Sequence, residues 1–153
     1  MATEFRPDRP QLNEAELDSW RGLLRAHSSL VKALDAELEQ AHGLALSSYE
    51  VLVRLGNSED GRMRMCDLAD SVLLSRSGLT RLVDRLEREG LVARGSCEHD
   101  ARGAFAVITP AGRATLDGAR PTHLDGVRRH FLDCFDAAEL ETLRGFWQRL
   151  TAA

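Results

Sequence analysis

The sequence predicts a mainly α-helical fold with one small β-structure near its middle. A short helical pattern at 65–72 is followed by the turn Leu73-Leu74 and then by a longer helical pattern at 75–90. Two strand-like runs, 91–94 and 104–108, follow with a polar segment between them. Helix, tight turn, helix and hairpin in this order are typical of a winged helix-turn-helix, which places one helix in the major groove of DNA.

The composition indicates a globular protein of about one domain. The chain has 153 residues, of which 43% are hydrophobic and 29% charged. No apolar run approaches the roughly 20 residues that span a bilayer, and residues 1–7 have no signal-peptide core. Three cysteines at irregular spacing do not form a disulfide framework. We therefore expect a cytoplasmic protein that does not contact membranes.

Charge is distributed unevenly along the chain. The net charge is −4, but residues 75–102 carry six arginines against five acidic residues, which leaves that segment at +1 and the rest at −5. Because the excess is small, affinity for DNA would depend on where these arginines point and on the presence of two copies.

The N-terminal helix is predicted from Asn13, which forms a capping box with Glu16, to about Ala41, with His42-Gly43 as its end. Its apolar stripe advances by alternating steps of three and four residues: Leu17, Trp20, Leu24, His27, Val31, Leu34, Leu38 and Ala41. A helix of roughly 42 Å cannot bury such a stripe in its own small domain. The stripe therefore predicts a partner helix from a second subunit.

The second helix is predicted to open with a capping box at 47–50 and to end at Gly56-Asn57. Its inward residues are expected to be Tyr49, Leu52, Val53 and Leu55. Residues 59–61 form a turn, and 62–64 are a candidate third strand of the wing sheet.

The C-terminal part is predicted to contain two helices. Thr109 caps the first, Pro110 occupies its first turn, and the helix runs to about Asp133. Pro121 lies inside this helix and predicts a kink or a break near Ala119–Arg120, because an interior proline costs about 3 kcal/mol. Its apolar face continues with Leu124, Val127, Phe131 and Leu132.

Asp136 and Glu139 cap the last helix, whose predicted buried side comprises Leu140, Leu143, Phe146, Trp147 and Leu150. We expect a single domain, with dimerisation helices at about 13–42 and 110–151 around a DNA-binding lobe at about 46–109.

The helix that starts at Ser75 has two distinct faces. Its predicted buried face comprises Leu79, Leu82, Val83 and Leu86. The opposite face near the N-terminus carries residues whose side chains bond base edges or phosphates: Arg76, Ser77, Thr80, Arg81 and Arg85. Gly78 would let the backbone approach DNA closely.

In the wing, a polar loop of nine residues is predicted at 95–103. Arg102 is placed at its tip, to enter a minor groove, with Asp100 holding that arginine or the loop backbone.

Four segments of the chain resemble the MarR family of bacterial transcription regulators. They are the run 79–92, Asp100-x-Arg102, the segment 108–112 and the segment 46–52. The resemblance implies a homodimer with a winged-helix lobe on each subunit and an interface of N- and C-terminal helices. It also implies a palindromic operator and release by a small phenolic ligand or by oxidation. Ala101 stands where the family's wing more often has arginine, so one potential phosphate contact is missing.

Possible sensing residues lie on the first two helices. Trp20, His27 and Tyr49 are candidates for binding a small aromatic or phenolic ligand, and Trp20 resembles the tryptophan of urate-responsive members of the family. The alternative is that Trp20 packs in the core or dimer interface and that His27 is a satisfied histidine of the helix seam.

Cysteine chemistry is a second candidate route of sensing. Cys66 lies beside Arg64 at a helix start and Cys97 lies on the wing, and both could be oxidised. Neither His130 and Cys134 nor residues 97–100 have the paired spacing of a zinc site, so we predict no metal and no cofactor.

These patterns predict a sequence-specific regulator that binds double-stranded DNA as a homodimer, and the family resemblance implies a ligand-responsive repressor. The alternative is a winged-helix module that binds proteins without binding DNA, which the net charge of −4 would suit. No nucleophile–base pair, phosphate loop or metal motif indicates an enzyme.

Overall fold

Six helices and a three-stranded antiparallel sheet form the part of the chain that the computed structural model describes, residues 11–72, 74–97 and 100–152. The helices are α1 (Glu14–His42), α2 (Leu46–Asn57), α3 (Met65–Ser71), α4 (Arg76–Arg88), α5 (Pro110–His130) and α6 (Ala137–Thr151). The strands are β1 (Arg62–Arg64), β2 (Val92–Cys97) and β3 (Asp100–Ile108), in the sheet order β1-β3-β2. The predicted mainly helical fold with a small β-wing is confirmed.

The predicted start and end of α1 are confirmed. Asn13 Oδ1 accepts a hydrogen bond from the Glu16 N–H at 2.9 Å, and Glu16 Oε2 accepts one from the Asn13 N–H at 2.7 Å. Gly43, at φ 60°, ends the helix in the left-handed conformation that favours glycine. Only the C-terminal part of the apolar stripe is covered within one chain, because Leu38 is fully buried whereas Trp20 is 54% exposed.

Polar contacts hold the end of α1 against α5. Glu37 accepts hydrogen bonds from Arg129 Nη2 at 2.9 Å and from His130 Nε2 at 2.6 Å. The His130 bond, and then the Arg129 bond, hold the pKa of the Glu37 carboxyl below its usual value. His42 Nε2 also lies 2.8 Å from Thr122 Oγ1. The two helices are therefore tied at more than one point along their contact.

The predicted capping box at the start of α2 is wrong. The helix begins two residues earlier, at Leu46, with Ala45 instead of Ser47 as its N-cap and no side-chain cap bond. Asp35 Oδ1 on α1 accepts the Leu46 N–H at 2.8 Å and so satisfies the first free donor of the helix. An acceptor eleven residues earlier in the chain thus replaces the serine cap that the local pattern predicted.

The core of the lobe lies between α2, α3, α4 and the sheet, with Leu38 and α5 closing one side. The predicted inward residues of α2 are confirmed, since Tyr49, Leu52 and Leu55 are buried and Val53 packs partly buried against them. All four predicted core positions of α4 are buried: Leu79, Leu82, Val83 and Leu86.

The wing hairpin is longer than predicted. The β2–β3 ladder runs from Val92↔Ile108 to Cys97↔Asp100, with one irregularity between Ser96 and Cys97. A polar loop at 95–103 is therefore wrong, because most of that segment pairs as strand. The segment shows no alternation of apolar and polar residues, so the sequence pattern did not indicate these strands. The predicted third strand is confirmed as β1, which pairs with β3.

The predicted start of α5 is confirmed, because Thr109 Oγ1 accepts the Gly112 N–H at 3.0 Å. The break predicted near Ala119–Arg120 does not occur, since α5 continues through Pro121 to His130. One proline removes a single backbone donor, and the helix is packed on both sides of it, by Leu116 and Ala119 before and by the α1 contacts after. The helix ends three residues before the predicted Asp133, and a short 3-10 turn at Leu132–Cys134 follows.

The cap of α6 is confirmed by a capping box between Asp136 and Glu139. Its predicted buried side is not buried within one chain, because no residue of Ala137–Thr151 is buried. Phe146, Trp147 and Leu150 are 47%, 40% and 62% exposed, and Leu124 and Leu132 are exposed as well. Within the described ranges, none of the helices has the length and apolarity that crossing a membrane requires.

Candidate nucleic-acid interface

Helix α4 presents a polar, mostly cationic edge to solvent. Ser75 Oγ accepts the Gly78 N–H at 3.1 Å and caps the helix start, as predicted. Because α4 buries its four apolar side chains on one face, a rotation of 100° per residue places Ser77 and Arg81 almost opposite that face. Arg76, Ser77, Thr80 and Arg81 are all exposed, so this edge is free to meet a partner.

Thr80 differs from the other residues of this exposed edge in that its hydroxyl already forms a hydrogen bond within the helix. Its hydroxyl donates to the Arg76 carbonyl oxygen at 2.9 Å, so the proton is used within the helix. The oxygen lone pairs remain available as acceptors. Thr80 can therefore accept a hydrogen bond from a base or sugar more readily than it can donate to a phosphate.

Arg85 lies on the side of α4 that faces α2. Its Nη2 donates to Ser48 Oγ at 2.9 Å, and Ser48 is buried, with 3% of its surface exposed. The hydrogen bond satisfies the buried hydroxyl and fixes the guanidinium beside the first turn of α2. Sequence reasoning placed Arg85 on the exposed face but missed this partner, because the two residues are 37 positions apart.

Arg94 joins the opposite side of α4 to the wing. Its Nη2 forms an ion pair with Asp84 Oδ1 and also approaches the Thr80 carbonyl oxygen at 3.4 Å, and its backbone N–H donates to Glu87 Oε2 at 3.2 Å. Two carboxylates of α4 are thus bonded to β2. Their repulsion toward a DNA backbone is reduced accordingly.

The wing residues Asp100 and Arg102 have their backbone in β3. Their side chains lie outside the described part of the structure, as does that of Cys97. On the outer face of the sheet, the Arg62 guanidinium stacks 4.5 Å from the centroid of the Phe105 ring.

Apart from the α4 edge, the lobe has a concavity of about 300 Å³ between α2, the end of α3 and α5. It is lined by Tyr49, Glu50, Val53, Arg54, Ser71, Val72 and His123. The Tyr49 and His123 rings lie 4.5 Å apart between centroids, and His123 Nδ1 is buried with no hydrogen-bond partner among the described residues. Burial raises the pKa of both the Tyr49 hydroxyl and the Glu50 carboxyl and lowers the pKa of His123. All three groups are therefore shifted toward their neutral forms.

The three predicted ligand residues do not share this concavity. Tyr49 lines it, whereas Trp20 and His27 are exposed on α1 and do not. Burial raises the pKa of Glu50, and the charges of Arg54 and then His27 offset part of this rise, so His27 lies within electrostatic range of a residue that lines the concavity. Sequence reasoning missed His123, and no pattern around Pro121 would have indicated it.

Cys66 and Cys134 are exposed, and Cys66 Sγ lies 3.7 Å from Asp67 Oδ1. No group of three or more histidine, cysteine or acidic side chains within the described ranges is arranged to hold a metal ion.

The chain is similar to transcriptional regulators in its sequence and in its fold. A family model described as MarR family matches residues 42–103. The HTH-type transcriptional regulator MhqR of Bacillus subtilis is 30% identical over 112 residues, which are 73% of this chain and 75% of MhqR. The crystal structure of AbsC, a MarR family transcriptional regulator from Streptomyces coelicolor, is 38% identical with a TM-score of 0.87, over 94% of this chain and 97% of AbsC.

Two further structures contain a partner. Sco3205, a MarR family transcriptional regulator from Streptomyces coelicolor in complex with DNA, is 34% identical with a TM-score of 0.87, over 94% of this chain and 90% of Sco3205. CouR from Rhodococcus jostii, bound to p-coumaroyl-CoA, is 27% identical with a TM-score of 0.76, over 87% of this chain and 91% of CouR.

Proposed function

Because the chain belongs to the MarR family of transcriptional regulators, we propose that it is a sequence-specific repressor that binds a palindromic operator as a homodimer. The observation that carries this proposal is the exposed polar edge of α4, whose opposite face is completely buried. The similarity to Sco3205, which was solved in complex with DNA, supports DNA as the partner.

In the proposed complex, α4 lies in the major groove. Arg76, Ser77, Thr80, Arg81 and Arg85 contact base edges or phosphates, because their side chains supply the donors and acceptors that such contacts need. Asp100 and Arg102 of the wing reach the adjacent minor groove, where an arginine is attracted by the negative potential. The Arg94 ion pair with Asp84 holds helix and wing in one arrangement, so both can engage the same duplex.

The homodimer is proposed from the apolar surface that one chain leaves uncovered. It includes Trp20, Leu24 and Val31 of α1, Leu124 of α5, and Phe146, Trp147 and Leu150 of α6. Exposed patches of this kind mark interaction sites in soluble proteins. A twofold partner would cover the α1 stripe and α6 together and would present two copies of α4 about one helical turn of DNA apart.

We place the ligand in the concavity lined by Tyr49 and His123. Its lining combines two valines and two aromatic rings with the polar groups of Glu50, Arg54 and Ser71, a mixture that can hold a small aromatic or phenolic compound, and the relative CouR was solved with p-coumaroyl-CoA bound. Trp20 and His27 remain proposed ligand contacts on α1, and His27 lies within electrostatic range of Glu50.

The DNA proposal is tested by fluorescence anisotropy with a duplex from the region upstream of the protein's own gene. Affinity should fall steeply with salt. The Arg81→Ala variant should lose about tenfold or more, because a bidentate arginine–guanine contact contributes about 1–3 kcal/mol. Arg25→Ala is the control, since Arg25 is exposed on α1 and lies off its apolar stripe. Equal affinities for Arg81→Ala and wild type would exclude α4 as the reading helix.

The assembly and its effector need separate measurements. Light scattering coupled to size-exclusion chromatography should give a dimer that Trp147→Asp dissociates, and a monomeric wild type would contradict the proposal. Aromatic acids added to the DNA complex should lower its anisotropy. The Tyr49→Leu variant should need more of the same acid while it still binds DNA.

A further inference from the structure

A second cleft separates the first turn of α2 from the outer edge of α4, and we propose that it holds a backbone phosphate of the bound DNA. The cleft has a volume of about 270 Å³ and is lined by Ser47, Leu74, Gly78, Arg81, Leu82 and Arg85. The proposal rests on the DNA-binding function proposed above and assigns a sequence-independent part of that interface to Ser47 and Arg85.

The first argument is the orientation of Arg85. It lies about 70° around the helix axis from the middle of the exposed edge, toward α2, at 100° per residue. Its Nη2 donates to the buried Ser48 hydroxyl at 2.9 Å. A guanidinium has five N–H donors, so the group is held by the protein with one donor and can meet an anion with the others. An arginine held this way loses less conformational entropy when it binds.

The second argument is the chemistry of the lining. The cleft brings together two guanidinium groups and the Ser47 hydroxyl, and its lining includes no carboxylate. The acidic side chains Asp84 and Glu87 lie toward the wing, where Arg94 engages them. Arginine and serine donors without a competing anion are the groups that contact phosphate oxygens in protein–DNA interfaces.

The third argument is access. Gly78 forms part of the wall, and a methyl group there would approach only Ser75 Oγ, at 3.0 Å. Because glycine leaves this wall without a side chain, a sugar–phosphate chain can come close to α4. Arg81 lines the same cleft but also lies near the middle of the exposed edge, from which we expect it to reach base edges as well.

The test compares an operator duplex with a scrambled duplex in the full-length dimer. Ser47→Glu should weaken binding to both duplexes at least tenfold, and Ser29→Glu should weaken neither. Ser29 is the matched control because it is exposed on α1 and lies off the apolar stripe. Arg85→Ala should weaken both duplexes by the same factor and lower the salt slope by about 0.9 for each phosphate lost per subunit. Arg81→Ala should instead reduce the preference for the operator.

Three outcomes overturn the proposal. They are Ser47→Glu binding like Ser29→Glu, Arg85→Ala reducing the operator preference as Arg81→Ala does, and Arg85→Ala leaving the salt slope unchanged. Should Ser47→Glu lower the melting temperature, Ser47→Ala serves in its place, with an expected loss of about threefold to tenfold on both duplexes. A wild type that binds neither duplex would defeat the proposed function itself, which separates the two failures.

Discussion

Gly112 lies where the first turn of α5 meets the start of the wing hairpin, and replacing it with alanine should destabilise the protein. A methyl group at this position would lie 2.1 Å from the Leu91 carbonyl oxygen and 2.9 Å from Ile108 Cγ1. The Leu91 carbonyl already accepts the Thr109 N–H at 3.1 Å, and Thr109 Oγ1 donates to the Gly90 carbonyl oxygen at 2.7 Å. Leu91 therefore cannot withdraw without straining two hydrogen bonds.

The magnitude follows from three opposing effects. A carbon–oxygen contact needs about 3.3 Å, so the strand or the helix must move by about 1.2 Å. Overpacking of this kind costs about 1–3 kcal/mol, and a weakened hydrogen bond at Thr109 adds about 0.5–1.5 kcal/mol. Alanine in place of glycine within a helix returns about 1 kcal/mol. The expected net loss in the free energy of unfolding is about 2 kcal/mol.

Urea unfolding at one fixed protein concentration measures this change. Gly118→Ala is the matched control, because it lies in the same helix and a methyl group there meets no atom within 4 Å. That variant should be unchanged or more stable by up to about 1 kcal/mol. A Gly112→Ala protein as stable as the Gly118→Ala protein would refute the reasoning, since it would show that Leu91 yields freely.

Two further predictions concern pH. Burial lowers the pKa of His123, so the unfolded chain takes up a proton below about pH 6.5 that the folded protein resists. Stability should therefore fall from pH 7 to pH 5. His123→Phe should flatten this fall in thermal melts, and a variant that keeps the wild-type slope would count against the reasoning. His130 and Arg129 lower the pKa of the Glu37 carboxyl in the folded protein. Their bonds to Glu37 therefore stabilise the folded protein above the ordinary carboxyl pKa of 4.5, and this stabilisation is lost as the pH falls through the lowered pKa of Glu37. Glu37→Gln should lower the melting temperature at pH 7 but much less at pH 3, and a pH-independent difference would contradict this.

The helix ends were predictable because their partners lie within four residues. The capping boxes at Asn13 and Asp136 and the threonine cap at Thr109 are short-range hydrogen bonds that the residue order alone specifies. The buried face of α4 was predictable for a similar reason, because its apolar spacing can point only one way on a helix. The exposed edge of α4 followed from that face.

The predictions were wrong where the structure depends on a residue distant in the sequence or on backbone pairing. The start of α2 depends on Asp35, which lies on another helix. The length of the wing depends on backbone pairing in a segment whose side chains carry no alternation. The continuity of α5 through Pro121 depends on packing on both sides of the proline.

The partners of the candidate interface were equally beyond local patterns. Arg85 reaches Ser48, 37 residues away, and Arg94 reaches Asp84 only because β2 packs against α4. His123 reaches Tyr49 because α2 packs on α5. Residue types that suit nucleic acid could be recognised from the sequence, but the orientation of each could not.

The burial of helix α1 within one chain is greatest near its C-terminal end. Leu38 is its one buried residue, and the contacts of Asp35 and Glu37 lie within a single turn of it. The preceding part of the helix therefore extends about 30 Å as a lever arm. A rotation of about 10° at the attachment moves the far end by about 5 Å over that length. In a twofold assembly built on these arms, their crossing angle fixes the separation of the two α4 helices, so small changes in arm angle select which half-site spacing fits.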